Sequence, residues 1–220
     1  MSSKEKNLKR LFACGIIPVI RAKSAKEALK VVEAVREGGI DIIEITMTVP
    51  NAIGVIQTIA EESGGGVLLG AGTVLDAETA RASILAGAEF IVSPCFNEGL
   101  VKVCKRYSKI VIPGAMTPTE IVRAWEQGAD LVKIFPAQQL GGPDYIKAIK
   151  APLPQVLLNP TGGVDLNNAA DYIRSGASVI SVGSALIDKQ ALAEGKFEIL
   201  TRKAQEFLKK VQEARQKLVD

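Results

Sequence analysis

The chain has 220 residues, of which 47% are hydrophobic and 5% aromatic, and its 27 basic and 24 acidic residues give a net charge of +3. This length and apolar content are sufficient for one large hydrophobic core, whereas so mild a charge, spread along predicted helices, argues against a nucleic-acid partner. The sequence has no histidine, which excludes histidine bases, Ser–His triads and histidine metal ligands.

The cysteines and the lack of long apolar segments indicate the compartment. There are three cysteines without a C-x-x-C pair, so we expect free thiols and no metal site. The first ten residues are charged and no apolar segment follows them, which argues against a signal peptide. No apolar run approaches the roughly 20 residues of a membrane span. We expect a reduced, cytoplasmic protein without membrane contact, in which the cysteines are small apolar residues: Cys14, Cys95 and Cys104.

A period of strand and helix runs along the chain. Each short apolar segment is followed by a polar amphipathic segment, then by a glycine, then by the next apolar segment. Helices are predicted between the apolar segments and over residues 196–218 at the C-terminal end. The apolar segments predict eight strands, at residues 16–21, 40–46, 67–72, 89–94, 109–115, 131–136, 155–160 and 178–184.

Polar residues and glycines mark the ends of the predicted helices. Ser24 and Thr117 each precede a glutamate by three residues, which is the spacing of a capping box. Glycine adopts the left-handed conformation at little cost, and it follows four of the helices, at Gly38, Gly87, Gly128 and Gly176.

The predicted strands are almost entirely apolar, which is typical of a parallel sheet covered by helices on both faces. Eight such units predict an α/β fold, a (β/α)8 TIM barrel, as a single domain over residues 1–220 with N-terminal and C-terminal helices. An open doubly wound sheet is the alternative. It would carry a glycine-rich loop after the first strand, and the segment PVIRAKSA is not one.

Two ionisable residues stand inside predicted strands. Lys133 lies in the middle of LVKIFPA and Glu44 lies in IDIIEIT, although such side chains are rarely buried without a partner or a function. Because side chains alternate along a strand, both groups point into the barrel when their apolar neighbours pack against helices. Burial favours the neutral amine of lysine, which is a nucleophile toward carbonyls. A structural Lys133–Glu44 ion pair is the alternative, although buried pairs stabilise proteins poorly.

Active sites of this fold lie at the C-terminal ends of the strands. The loops after strands seven and eight carry PTGG and GSA, and such loops commonly bind phosphate, although tight turns alone would also use these glycines. An arginine at the end of strand one can hold a carboxylate through two parallel N–H bonds, or it can be solvated. The candidate substrate-binding residues at the strand ends are Arg21, Thr73, Pro94, Phe135, Thr161, Gly162, Gly163, Gly183 and Ser184.

These segments resemble a known family, the class I 2-keto-3-deoxy-6-phosphogluconate (KDPG) aldolases, many of which also cleave 4-hydroxy-2-oxoglutarate (KHG). The most specific matches are LVKIFPA, PTGGV and IEIT. The matching segments follow the family order over nearly the whole chain: IIPVIRAKSAKEA, GGIDIIEITMTVPNA, GAGTVLD, GAEFIVSP, IPGAMTPTE, LVKIFPA, NPTGGV and VGSAL.

The resemblance implies a role for each matching residue. Lys133 is similar to the Schiff-base lysine, and Glu44 to the acid/base that moves protons through a water. Thr73 and Phe135 resemble residues at the pyruvate end, and Thr161 resembles a residue that influences stereochemistry. The residues that resemble a phosphate cradle are Gly162, Gly163 and Ser184.

One position departs from part of the family. Many members carry an arginine for the pyruvate carboxylate two residues beyond the threonine of the E-x-T motif, where this chain has Thr48. Other members end strand one with an arginine, as here, so the resemblance assigns the carboxylate to Arg21. It also implies a homotrimer, a small keto acid or sugar phosphate as substrate, and neither metal nor other cofactor.

The expected reaction is the reversible retro-aldol cleavage of KDPG to pyruvate and glyceraldehyde 3-phosphate, with cleavage of KHG to pyruvate and glyoxylate as a second reaction. Two other functions stay open. A phosphate-binding isomerase or epimerase would use Glu44 as its base and would not need Lys133. A non-catalytic trimeric scaffold or sugar-phosphate sensor would retain only a vestigial site.

Overall fold

Parallel strands alternate with helices in the computed structural model, which describes residues 2–218. The strands are β1 (Ile16–Ile20), β2 (Ile42–Thr46), β3 (Leu68–Gly72), β4 (Phe90–Val92), β5 (Ile110–Ile112), β6 (Gly114–Ala115), β7 (Val132–Ile134), β8 (Leu158–Pro160) and β9 (Ile180–Val182). The helices are α1 (Ser3–Cys14), α2 (Ala25–Glu37), α3 (Ala52–Ser63), α4 (Ala77–Leu85), α5 (Glu98–Arg106), α6 (Pro118–Glu126), α7 (Gly142–Lys150), α8 (Ala169–Arg174), α9 (Lys189–Glu194) and α10 (Phe197–Gln216). A short 3₁₀ turn covers Gln138–Leu140.

The strands close into a barrel. One sheet runs in the order β5-β4-β3-β2-β1-β9, and a second runs β6-β7-β8. Only Pro113 separates β5 from β6, and it interrupts the ladder because proline has no N–H to donate. A parallel bridge between Thr161 and Ser181 joins the other edges. Counting β5 and β6 as one strand, the predicted (β/α)8 barrel is confirmed.

The local signals at helix ends are mostly confirmed. Thr117 forms a full capping box with Glu120, and the Ser24 side chain accepts a hydrogen bond from the N–H of Glu27. The glycines predicted after three later helices have positive φ, at Gly87, Gly128 and Gly176. Gly38 ends α2 as predicted, but it does not have the predicted left-handed conformation.

The left-handed turn after α2 lies one residue later than predicted. Gly38 has a φ of −74° and Gly39 a φ of +91°. Gly38 is constrained by packing instead, because a Cβ there would lie about 2.5 Å from the Cβ of Ala204 on α10. The end of α2 therefore requires a small residue at position 38, where α10 packs closely, and a glycine at position 39, where the chain turns.

The terminal helices leave one end of the barrel open. On α1, Asn7 donates a 2.8 Å hydrogen bond to Glu89 and Lys4 forms a 2.8 Å ion pair with Asp130. Glu89 and Asp130 precede β4 and β7, so α1 lies at the N-terminal ends of the strands. The predicted C-terminal helix, α10, packs against α2 and α8. Within residues 2–218, no helix is both long and apolar enough to cross a bilayer.

Candidate active site

The interior of the barrel carries polar side chains among apolar ones. The strands are buried along their whole length, and most of their side chains are Ile, Val or Leu. Polar groups on the strands or directly after them are nevertheless 5% exposed or less: Glu44, Thr46, Ser93, Lys133, Asn159, Thr161 and Ser181. Because burial of polar groups is costly, this cluster marks the site.

Lys133 is the only lysine or arginine in this cluster. It sits on β7 with Gly114 of β6 and Asn159 of β8 as its register partners, and it is 4% exposed. Burial lowers the pKa of its amine; the charge of Glu44 opposes this shift and that of Arg21 adds to it. The barrel therefore favours an uncharged amine, which can attack a carbonyl carbon.

Glu44 is fully buried on β2, and neither carboxyl oxygen has a hydrogen-bond partner among the described residues. Burial raises the pKa of Glu44, while the charges of Lys133 and Arg21 lower it. Its side chain crosses Gly72 of β3, where a Cβ would overlap the carboxyl group. Within residues 2–218, Glu44 and Lys133 form no ion pair. The alternative that these two residues are buried as a structural ion pair is therefore not supported.

A cavity of about 320 Å³ opens at the C-terminal ends of the strands. Seven of the nine predicted substrate-binding residues line it, namely Arg21, Phe135, Thr161, Gly162, Gly163, Gly183 and Ser184. The other lining residues are not among the predicted substrate-binding residues: Val19, Val164, Asp165 and Ala185. The Nζ of Lys133 lies 5.2 Å from the centre of the Phe135 ring, which connects the buried amine with the cavity.

The loop after β8 is shaped to present backbone N–H groups. Gly162 and Gly163 have φ values of +91° and +78°, which glycine adopts without strain. Their carbonyl oxygens accept hydrogen bonds from the N–H of Gln138, at 3.0 Å, and from Nδ2 of Asn168, at 2.8 Å. In the described part of the chain, neither glycine N–H donates a hydrogen bond. Successive free N–H groups suit an anion such as phosphate.

Arg21 and two threonines meet at the adjoining ends of β1 and β2. Arg21 is exposed and directly follows β1. Thr46 Oγ1 donates a 3.1 Å hydrogen bond to the carbonyl oxygen of Ile20, and it lies 2.6 Å from Oγ1 of Thr48. These bonds fix the end of β2 beside the arginine, while Thr48 remains exposed.

Thr73 and Pro94 follow β3 and β4 at the same end of the barrel, but they do not line the 320 Å³ cavity. Thr73 has a φ of +59°, an outlier for a β-branched residue of the kind that clusters at functional sites. A Cβ on Gly114 of β6 would overlap the backbone of Pro94, so β6 lies close to the segment that follows β4. Cys95, predicted to pack as an apolar residue, is instead exposed, because the chain leaves the barrel there.

Asn159 and Ser181 are site residues that the sequence reasoning missed. Ser181 Oγ donates a 3.0 Å hydrogen bond to Oδ1 of Asn159, and both side chains are buried. The alternation that identified Lys133 was sufficient to find Asn159, since Asn159 and Thr161 share a face of β8. Ser181 gave no comparable signal, because a serine in a strand is common.

No cluster of three acidic or cysteine side chains suited to a metal ion occurs between residues 2 and 218. The site thus consists of a buried amine, a buried carboxyl group, an exposed arginine and a glycine loop.

The chain matches a known protein family over most of its length. The family model described as "Aldolase: KDPG and KHG aldolase" matches residues 8–203. The 2-dehydro-3-deoxy-phosphogluconate aldolase of Treponema pallidum is 39% identical over 88% of this chain and 91% of its own length. The KHG/KDPG aldolase of Escherichia coli K12 is 33% identical over 87% of this chain and 89% of its own.

Solved structures give the same result. KDPG aldolase from Legionella pneumophila, with pyruvate captured as a covalent carbinolamine, is 30% identical with a TM-score of 0.82, covering 89% of this chain and 95% of that one. A structure described as native KDPGal is 35% identical with a TM-score of 0.84, covering 91% and 96%. A 3-hexulose-6-phosphate synthase, 18% identical with a TM-score of 0.72, shares the fold alone.

Proposed function

Because the chain belongs to the family of KDPG and KHG aldolases, we propose that it is a class I aldolase that cleaves KDPG to pyruvate and glyceraldehyde 3-phosphate, and KHG to pyruvate and glyoxylate. The observation that carries the proposal is Lys133, buried on a barrel strand with the pKa of its amine lowered. An imine-forming enzyme requires an uncharged amine of this kind.

Lys133 supplies the covalent chemistry. Its uncharged Nζ attacks the C2 carbonyl carbon of the keto acid, and the resulting carbinolamine loses water to give an iminium. When the C4 hydroxyl loses its proton, the C3–C4 bond breaks and its electrons pass into the iminium. The aldehyde leaves, C3 of the enamine takes up a proton, and hydrolysis of the imine releases pyruvate and the free amine.

Glu44 moves the protons of these steps, through a water molecule. Its carboxyl group is buried without a partner among residues 2–218, and burial raises its pKa. A raised pKa makes the carboxylate a stronger base, which favours uptake of a proton from a hydroxyl group. In this proposal it accepts the C4 hydroxyl proton and later returns a proton.

The cavity residues hold the two ends of the substrate. Arg21 binds the carboxylate of the pyruvate half, and the loops that contain Gly162, Gly163 and Ser184 bind the phosphate. Three further cavity residues contact the bound substrate in this proposal, Phe135, Thr161 and Gly183. Thr73 and Pro94, which lie outside the cavity lining at the same end of the barrel, contact the substrate as well. Two observations support this assignment of the phosphate and the carboxylate: among the described residues, the N–H groups of Gly162 and Gly163 have no acceptor, and Arg21 is exposed.

The enzyme is proposed to act as a cytoplasmic homotrimer. The chain is 34% identical, with a TM-score of 0.85, to part of a protein cage designed by fusing symmetric oligomeric domains, covering 93% of this chain and 74% of that one. The relatives from Treponema pallidum and Escherichia coli are aldolases by name, and the substrates proposed here are small metabolites.

Reductive trapping tests the function. Incubation with pyruvate and borohydride should leave a stable adduct on Lys133, identified by peptide mass spectrometry, and Lys133→Met should abolish both adduct and turnover. Lys147→Met, at an exposed lysine of α7, is the matched control and should retain both. Turnover should also survive EDTA.

Failure of this test has a defined meaning. If the folded protein forms no adduct on any lysine, the aldolase proposal is wrong. Isomerisation of a sugar phosphate with Glu44 as base would then indicate the isomerase, and phosphate binding without turnover would indicate the non-catalytic sensor.

A further inference from the structure

Asn159 is the nearest polar neighbour of Lys133 in the strand register. Residue 159 on β8 is the register partner of Lys133 on β7, and partners in a parallel pair point to the same face about 5 Å apart. Asn159 is fully buried, like Lys133, in the barrel interior. An amide in this position contacts no solvent, so its orientation acts on the amine through a medium of low dielectric.

The orientation of the amide is set from the other side. β8 lies between β7 and β9, and Ser181 on β9 donates its hydroxyl proton to Oδ1 of Asn159 at 3.0 Å. The Nδ2 group is buried and has no hydrogen-bond partner among residues 2–218. Buried amide donors are nearly always paired, so an unpaired one calls for an explanation.

We propose that Asn159 is a positioning residue for Lys133: Ser181 holds the amide so that its N–H edge, rather than its carbonyl oxygen, faces Lys133 and favours the uncharged amine. An ammonium group would meet N–H groups that repel it, whereas a carbonyl oxygen would attract it. The inference rests on the proposed function, because only an imine-forming lysine needs to be uncharged.

Other groups act on Lys133 from several elements. The charge of Glu44 on β2 and the ring of Phe135, which directly follows β7 and lies 5.2 Å away, favour the ammonium form. Burial and the charge of Arg21, after β1, oppose it. The N–H edge of Asn159 therefore acts in the same direction as burial and Arg21. It offsets part of the stabilisation that the Glu44 charge gives to the ammonium form.

The test measures the rate of pyruvate adduct formation on Lys133 with cyanoborohydride at pH 6–10. That rate rises through the pKa of the amine, because only the neutral form attacks. In Asn159→Leu, which keeps the branched shape without the donor, the midpoint should move up by about one pH unit, a tenfold change in the uncharged fraction below the midpoint. In Asn159→Asp, a carboxylate replaces the donor and adds a negative charge, so the upward shift should be larger.

Two serine variants separate this role from packing. Ser181→Ala removes the group that holds Oδ1, so the amide can turn and the midpoint should rise by less than in Asn159→Leu. Ser83→Ala removes an equally buried serine on α4, whose hydroxyl bonds to the Thr79 carbonyl, and should leave the midpoint unchanged. Ser181→Ala also carries the test if Asn159→Leu does not fold.

The outcomes distinguish the inference from the function on which it rests. If the wild-type protein forms no adduct at any pH, the aldolase proposal fails. If it forms the adduct but Asn159→Leu and Asn159→Asp have the wild-type midpoint, the inference is overturned while the function stands. A downward shift in Asn159→Leu also overturns it, since that result would place the carbonyl oxygen toward Lys133.

Discussion

At the scale of single residues, the site depends on groups whose ordinary charge is unfavourable where they lie. Lys133 and Glu44 are both buried but do not form an ion pair. Burial lowers the pKa of Lys133 and raises the pKa of Glu44, so it favours the neutral form of each. A direct ion pair would stabilise both charges and remove the nucleophile. The separation of the two groups is therefore what leaves each available for reaction.

Arg21→Ala should raise KM for both KDPG and KHG, because both substrates have the keto-acid carboxylate. Loss of a charge-assisted contact costs about 1.5–3 kcal/mol, which corresponds to roughly a 10- to 150-fold increase in KM. Steady-state assays of pyruvate release provide the measurement. Arg106→Ala, at an exposed arginine that ends α5, is the control. An unchanged KM would refute the assignment of the carboxylate to Arg21, and an increase for KDPG alone would assign Arg21 to the phosphate.

Ser184→Ala should act on one substrate only. KHG carries a carboxylate and no phosphate, so loss of a hydroxyl from the phosphate cradle should raise KM for KDPG about tenfold and leave KM for KHG nearly unchanged. The ratio of kcat/KM for the two substrates measures this difference. Equal losses for both substrates would show that the phosphate lies elsewhere in the cavity.

At the scale of elements, the glycines of β3 give the neighbouring strand room for its functional side chain. Gly70 and Gly72 are register partners of Glu44 and Thr46, and a Cβ on Gly72 would overlap the Glu44 carboxyl group. A glycine inside a strand weakens it, which is the cost of this arrangement. The apolar segment VLLGAG thus combines strand formation with space for an acid on β2.

Gly72→Ala should therefore displace the Glu44 carboxyl group. We expect kcat to fall by roughly 100-fold or more, the usual contribution of a general acid–base group, while trapping of pyruvate on Lys133 persists. Measurement of kcat beside the amount of borohydride adduct tests this. Gly99→Ala on α5, where the added methyl meets no atom closer than 3.3 Å, should keep near wild-type activity. A wild-type kcat in Gly72→Ala would mean that Glu44 is not the proton carrier.

At the scale of the whole molecule, the two ends of the barrel have different tasks. α1 contributes an ion pair and a hydrogen bond that tie it to the N-terminal ends of the strands, while the cavity and its loops occupy the C-terminal ends. Stability and chemistry are thereby assigned to opposite ends, as is usual for this fold.

The proposed trimer is tested at the same scale. Light scattering coupled to gel filtration should give the mass of three copies of a 23.3 kDa chain, at concentrations used for the activity assays. A mass of one or two copies would contradict the trimer and leave the site of the single chain unaffected, since every residue named in it belongs to one barrel.

The sequence by itself predicted the (β/α)8 barrel and the two ionisable residues inside its strands, Lys133 and Glu44. Apolar runs with a regular period specify buried parallel strands, and a charged residue inside such a run stands out, as Lys133 and Glu44 did. The position of the left-handed turn at Gly39 and the exposure of Cys95 depended on packing against distant segments, which local patterns do not contain. Only the tertiary structure placed Ser181 against Asn159 and made Asn159, with its unpaired Nδ2, the register partner of Lys133, because that arrangement requires three strands in register, from parts of the chain that are far apart in sequence.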